Sequence, residues 1–242
     1  MIKIETLLKE EEDFNFNFEG NVVCIGFFDG VHLMHKKIIE ETKKISQQEN
    51  LNWSIITFSE KVLDFINGTK NNFQLKEKKY SFFEEKFNPD YLFEIKVNED
   101  TIKKTPEQFC EFLKNNLKVK KIIVGSDFRF GYKGEGDIEF LKKYFGKENS
   151  IIFERDQNVS TTLIRKSITE GNVEKIKKIL DSDFKVNLKK IDLNKYIIND
   201  FNTLFAKKMY DVKIENSTKT IEIDNNIIFF ESEKDELEME FL

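Results

Sequence analysis

Over residues 1–184, short apolar runs alternate with stretches whose apolar residues recur every three or four positions. Residues 21–27 (NVVCIGF) form a nearly continuous β-prone run, the pattern of a strand buried on both faces. Met34, Ile38 and Ile45 then share one stripe of a helix expected over 33–48. Residues 53–58 (WSIITF) read as the next strand, and Tyr80, Phe83 and Phe87 fall at helical spacing over 77–88. A third strand is expected over 91–97. Thr105-Pro106-Glu107-Gln108 is a capping box with proline at the first helical position, opening a helix that runs to about residue 116. Residues 121–124 (KIIV) predict a fourth strand, followed by a loop to Gly136, a helix over 137–145 and a fifth strand over 150–154. Two short helices, 160–170 and 173–180, are separated by Gly171, a left-handed cap in the making.

Strands alternating with helices at this spacing predict an α/β fold: a doubly wound, Rossmann-like parallel sheet whose ligands lie beyond the carboxyl ends of the strands. Residues 185–242 break the rhythm. A helix is expected over 195–209, then short alternating runs at 210–215, 218–224, 226–231 and 236–241 predict a small, mostly antiparallel β appendage. The expected division is therefore a domain over 1–184 and a small C-terminal segment over 185–242.

Composition narrows the function more than the fold. The net charge is −5, with lysines scattered among nearly equal acids, so nucleic acid is a poor first guess for a partner. Two well-separated cysteines, Cys24 and Cys110, argue against a disulfide framework and for a reducing compartment. No run approaches the ~18 apolar residues of a membrane span, and residues 1–12 lack a signal-peptide core, so the expected location is the cytoplasm. The 25 phenylalanines read mainly as core filler in a chain almost devoid of alanine. Oligomeric state is not legible.

The chain has only two histidines, His32 and His35, and they directly follow Gly26-Phe27-Phe28-Asp29-Gly30 at the end of the first expected strand. A strand ending in a Gly-rich turn that opens a helix is a phosphate-binding geometry, because the helix N-terminus offers unpaired amides and a positive dipole end. Histidines at i and i+3 would face one side there and could donate to a triphosphate. One exposed and one buried histidine without a task is the plain alternative. A zinc pair is disfavoured by the three-residue step and the lack of further ligands nearby, and no metal ligand is assigned.

Three segments together resemble one family. Gly26 to His35 (GFFDGVHLMH) is similar to the GxFDGxHxGH signature of the bacterial FAD synthetase, or riboflavin biosynthesis bifunctional, family within the HxGH nucleotidyltransferase superfamily. The stretch VGSDFRFG ending at Gly131, with Gly134, Gly136 and Asp137 beyond it, resembles that family's GxDFRFGxxxxGD loop. VSTTLIR ending at Arg165, followed by Glu170-Gly171-Asn172-Val173, resembles its ISSTxIR segment and the GDV after it.

The resemblance implies an FMN adenylyltransferase that joins the AMP of ATP to FMN, giving FAD and pyrophosphate. It implies catalytic roles for His32, His35 and Arg165, and ATP binding by Gly26, Phe27, Phe28, Asp29, Ser160, Thr161 and Thr162. Asp127, Phe128 and Arg129 would belong to the flavin side, and Mg²⁺ would accompany ATP, held mainly by phosphates. Plainer readings stand beside these roles: Ser160 to Thr162 as a helix cap, Phe128 and Phe130 as core, Arg129 as a solvated charge, Asp137 as an N-cap. Two readings compete at the level of function, a flavin or adenine-nucleotide binder without turnover and a nucleotidyltransferase with another phosphorylated acceptor.

The chain departs from the family pattern in two local segments and, most of all, toward the C-terminus, where the family usually continues into a riboflavin kinase barrel. Met34 stands where HxGH has glycine, and Thr57-Phe58-Ser59-Glu60-Lys61 lacks the prolines and histidine of TFxPHP, so no ligand contact carries over from that loop. No proline follows Pro106 and no Gly-Phe-Pro-Thr-Ala-Asn-like motif occurs, which implies a chain without riboflavin kinase activity.

Overall fold

The computed structural model describes residues 1–9, 14, 16, 18–201 and 203–242. Part of the charged stretch before residue 14 therefore lies outside the described residues. The chain divides into two compact units, one of residues 1–28, 34–70 and 80–155, the other of 29–33, 71–79 and 156–242.

The first unit is built on six parallel strands. In chain order its elements are β1 (Ile2–Thr6), β2 (Asn21–Ile25), α1 (Leu33–Glu49), β3 (Asn52–Phe58), α2 (Val62–Asn67), α3 (Lys76–Lys86), β4 (Tyr91–Ile95), α4 (Pro106–Asn115), β5 (Val119–Gly125), α5 (Ile138–Phe145) and β6 (Ser150–Phe153). Leu33 and the start of α3 fall in the second unit. The strands are ordered β1-β4-β3-β2-β5-β6. All neighbours are parallel, as expected of a Rossmann-like α/β fold. All five residues of β2 are buried, which is why its sequence is apolar without alternation. The chain winds outward from β2 through β3 to β4, then returns to the other side of β2 with β5. The strand order thus reverses at β2 and β5, the point where sheets of this kind accept ligands.

Local chemistry sets the helix ends. Thr105 accepts from the Gln108 amide and the Gln108 side chain accepts from the Thr105 amide, so the expected capping box starts α4. That helix buries Phe109, Cys110, Phe112 and Leu113 in a core that continues through Phe93, Ile95, Ile122 and Leu141. Cys24 and Cys110 are both buried, form no disulfide, and burial pushes each thiol up to about 12. Strand β1 is an addition to the strands expected from the sequence, and it joins the sheet through β4. Among the described residues no helix is long and apolar enough to cross a membrane.

The second unit contains α6 (Thr161–Glu170), α7 (Val173–Leu180), β7 (Phe184–Asp192), β8 (Lys195–Ile198), β9 (Lys208–Ile214), β10 (Ser217–Ile223), β11 (Ile227–Phe229) and β12 (Glu236–Phe241). Gly171 ends α6 at φ +66°, the expected left-handed cap. The six strands form an antiparallel sheet in the order β10-β9-β12-β7-β8-β11. Burial alternates along β9 and β12, so one face carries the core. Phe184, Phe205 and Phe241 stack at its centre, with centroids 4.9 Å apart for Phe184 and Phe241 and 5.3 Å for Phe205 and Phe241.

The helix expected over 195–209 does not form. Residues 195–198 are strand β8, and the described residues between it and β9 belong to no helix or strand. Apolar residues at 197, 198, 201, 204 and 205 mimic a helical stripe. Tyr196 and Ile198 are instead the alternating inward positions of a strand, and Phe201 and Phe205 reach the aromatic core from an open chain. Pairing with β7 and β11 outweighs a weak local helix preference.

Candidate active site

The turn after β2 is strained. Phe28 lies at φ +53°, Gly30 at +78° and Val31 at +34°. For a β-branched residue such as Val31 this is an outlier costing about 1–3 kcal/mol, and such outliers gather where structure serves a site. Gly26 hydrogen-bonds through its amide to the Ile56 carbonyl, and a Cβ on it would come within 3.0 Å of the Phe28 ring. Phe28 is buried and meets the His35 ring edge to face, centroids 5.2 Å apart. Phe27 is partly exposed; its carbonyl accepts from Thr57 Oγ1 at 3.3 Å, and Lys61 Nζ lies 5.2 Å from its ring centre. His35 is the third residue of α1, whose first turn holds no acidic side chain to neutralise its dipole.

Asp29 and His32 belong to the second unit, and there the structure gathers residues from remote parts of the sequence. The buried Asp29 carboxylate accepts from the Phe73 amide at 2.8 Å and the Gln74 amide at 3.2 Å. Its backbone carbonyl accepts from Thr161 Oγ1 at 2.9 Å. Arg165 Nη2 lies 4.0 Å from Asp29 Oδ2 and donates to the Asn71 carbonyl, while Nη1 donates to Thr203 Oγ1 at 3.0 Å. The guanidinium carbon sits 5.9 Å from the centre of the Phe73 ring. Gly30 is required by the same packing, since a Cβ on it would stand 2.7 Å from Phe73 Cδ1. Ser160 caps α6, its hydroxyl oxygen accepting from the Leu163 amide at 3.2 Å. Thr162 is exposed, and His32 is buried immediately before α1.

The loop after β5 holds the third group, in the first unit. Asp127 is exposed and pairs with Arg155, Oδ2 to Nη1 3.3 Å. Phe128 stacks on Phe130 at 5.5 Å, and Phe130 is buried against Phe109. A bridge between Phe130 and Gly136 closes the loop; a Cβ on Gly136 would strike the Phe130 ring at 2.7 Å. Arg129 is exposed and pairs with Asp137 at 3.2 Å. Asp137 caps α5, accepting from the Glu139 and Phe140 amides. Those bonds, the one from Phe140 foremost, together with Arg129 hold its carboxyl below the ordinary carboxylate range.

The structure therefore brings Asp29, Thr161 and Arg165 together, joins Phe28 to His35, and leaves Asp127 and Arg129 with separate partners. Sequence reasoning missed Asn71, Phe73, Gln74 and Thr203, which hold Asp29 and Arg165 in place. Their segments carry no motif; a lone Phe73 in the polar run GTKNNFQ was the only signal. Among the described residues no group of three or more His, Cys, Asp or Glu is arranged to hold a metal ion.

Comparison with known proteins bears on the same segments. The bifunctional riboflavin kinase/FMN adenylyltransferase of Buchnera aphidicola from Schizaphis graminum is 32% identical over 186 residues, covering 73% of this chain and 59% of that protein. The protein of the same description from the Acyrthosiphon pisum strain is 31% identical over 219 residues, covering 81% of this chain and 68% of its own length. A crystal structure of a Streptococcus pneumoniae protein described as a macrolide-efflux protein superposes over the whole chain and 90% of its own, with a TM-score of 0.76 at 20% identity, a likeness of fold. The FAD synthetase family model matches residues 15–169, a span that includes the strained turn, the loop after β5 and the start of α6 with Arg165. Carrying all three motif segments within a match over most of its length, the chain belongs to the FAD synthetase family.

Proposed function

We propose that the chain is an FMN adenylyltransferase, forming FAD and pyrophosphate from FMN and ATP, and that it lacks riboflavin kinase activity. The observation that carries this reading is the meeting of Asp29, Thr161 and Arg165, since it joins the first turn to the α6 motif around one fixed cation. In the reaction an FMN phosphate oxygen attacks the α-phosphorus of ATP in line. A new P–O bond forms, the bond from the α-phosphorus to the bridging oxygen breaks, and pyrophosphate leaves with that electron pair.

The protein's part is positioning and charge stabilisation. His32 and His35 would donate to the triphosphate at the α1 N-terminus, and the glycine turn would let the backbone approach the nucleotide. Arg165, with two partners fixing its fork, would offer a pre-oriented cation to phosphate. The Ser160 oxygen caps α6 by accepting and the Thr161 proton is given to the Asp29 carbonyl, so donation from this segment would come through its amides and the hydroxyls of Ser160 and Thr162. Asp127, Phe128 and Arg129 would face the flavin. Mg²⁺, arriving with ATP, neutralises phosphate charge and is held mainly by phosphate oxygens, in keeping with a site whose one buried carboxylate, Asp29, already accepts from two amides.

Incubating the purified protein with FMN, ATP and Mg²⁺ and resolving the products by chromatography tests the reading. FAD and pyrophosphate are expected from FMN, and no FMN from riboflavin. His32→Ala is expected to slow FAD formation by about a hundredfold or more, the cost of removing one charge-stabilising donor. Tight FMN or FAD binding without any turnover would favour the binder instead, and transfer to another phosphorylated acceptor would favour a different substrate.

A further inference from the structure

The C-terminal sheet has no role in the reaction just described, yet it reaches Arg165. Between β8 and β9, Thr203, Phe205 and Ala206 are tied down from two sides. Asn226, buried and left-handed at φ +63°, donates through Nδ2 to the Thr203 carbonyl at 3.0 Å and accepts from the Phe205 amide at 2.8 Å. The Ala206 amide donates to the Ile168 carbonyl of α6 at 3.1 Å. Thus held, Thr203 presents its hydroxyl to Arg165 Nη1 at 3.0 Å.

A second support acts from the ring face. Arg165 lies over Phe73, Phe73 stacks on Phe201 with centroids 4.4 Å apart and planes 18° apart, and Phe201 continues to Phe184 at 6.0 Å. Phe184 in turn stacks on Phe241 of the last strand. The guanidinium is therefore gripped at one edge by a hydroxyl and on one face by a column of rings rooted in the sheet core. A flexible arginine loses less freedom on meeting phosphate when it is already fixed, so such a grip favours the transition state.

We infer that Thr203 is a positioning residue for Arg165, with Phe201 as its stacking support, so that the C-terminal sheet orients the cation of the adenylyl-transfer site. The inference rests on the proposed function for the purpose of that cation.

The test uses the full chain with Thr203→Val, Thr203→Ser, Arg165→Ala and the double variant Thr203→Val/Arg165→Ala. Thr203→Val is expected to lower kcat for FAD formation about tenfold, as loss of a hydrogen bond to a charged group does, with the thermal midpoint within a degree or two of wild type. Thr203→Ser should restore the rate, because it restores the hydroxyl. In the Arg165→Ala background Thr203→Val should have no further effect, the signature of residues acting as one unit. An unchanged kcat in Thr203→Val, or an equal loss in both backgrounds, would overturn the inference. Should Thr203→Val fail to fold, Thr203→Ala takes its place in the same cycle. If wild type makes no FAD, the proposed function falls, and the cycle is read in MgATP affinity by calorimetry. Coupling there sustains the inference on its own, and additivity or an absence of MgATP binding overturns it.

Discussion

At the scale of single residues, the turn from Gly26 to His32 shows how side chains are spent on geometry. Asp29 reads in the sequence as a phosphate-site residue, yet its carboxylate holds the amides of Phe73 and Gln74 and its carbonyl holds Thr161. Its charge therefore organises the turn before it meets any ligand. Gly30 is where that organisation is most exposed to substitution. Gly30→Ala adds a Cβ 2.7 Å from Phe73 Cδ1 at a backbone angle of +78°, so strain and overpacking combine. A loss of about 1–3 kcal/mol in urea unfolding is expected, and a stability within error of wild type would show that the turn relaxes freely. Met34, where the family motif has glycine, is half-buried on α1. Nothing in the structure explains that substitution.

At the scale of elements, the helix ends were the most legible features of the sequence. The capping box of α4, the Asp137 cap of α5 and the left-handed Gly171 after α6 all follow from local chemistry within four residues. Thr105→Ala removes the side-chain acceptor for the Gln108 amide and is expected to cost about 1 kcal/mol, read from the shift in urea midpoint at unchanged m-value. The misread stretch 195–209 is the counterpart. Its apolar spacing fits a helix, but residues 195–198 fold back on β7 as a hairpin closed between Asp192 and Lys195, and their other side is taken by β11, which lies tens of residues further along the chain. Strand β1 was illegible for a similar reason, since its pairing partner is β4.

At the scale of the molecule, the unit that carries the C-terminal sheet also carries Asp29, His32, Thr161 and Arg165. The tail is thereby built into the same unit as half of the candidate site. A pH signature follows from its packing. Asp200 is buried beside β8, where burial raises its pKa although its carboxylate accepts from Asn187 Nδ2 at 2.8 Å. A folded-state pKa above the unfolded one means that the folded protein binds the proton more tightly. The stability linked to Asp200 is then fully present below the ordinary aspartate value and is lost as pH rises through the raised folded one. Wild type should accordingly gain stability relative to Asp200→Asn as pH is lowered from 7 to the ordinary aspartate value of about 4, in paired urea titrations. A difference that stays constant over that interval would refute the assignment.

The sequence by itself determined the parallel sheet, the helix caps, the family and the identity of the three motif segments. Each of these is encoded by residues within a few positions of one another, through periodicity, capping or a contiguous signature. Only the tertiary structure decided which motif residues meet, that Phe73 and Thr203 hold Arg165, and that β11 pairs with the far side of residues 195–198. Those outcomes depend on contacts between segments far apart in the chain, where the gain from burying and pairing two surfaces is decided by the fold as a whole and leaves no local pattern to read.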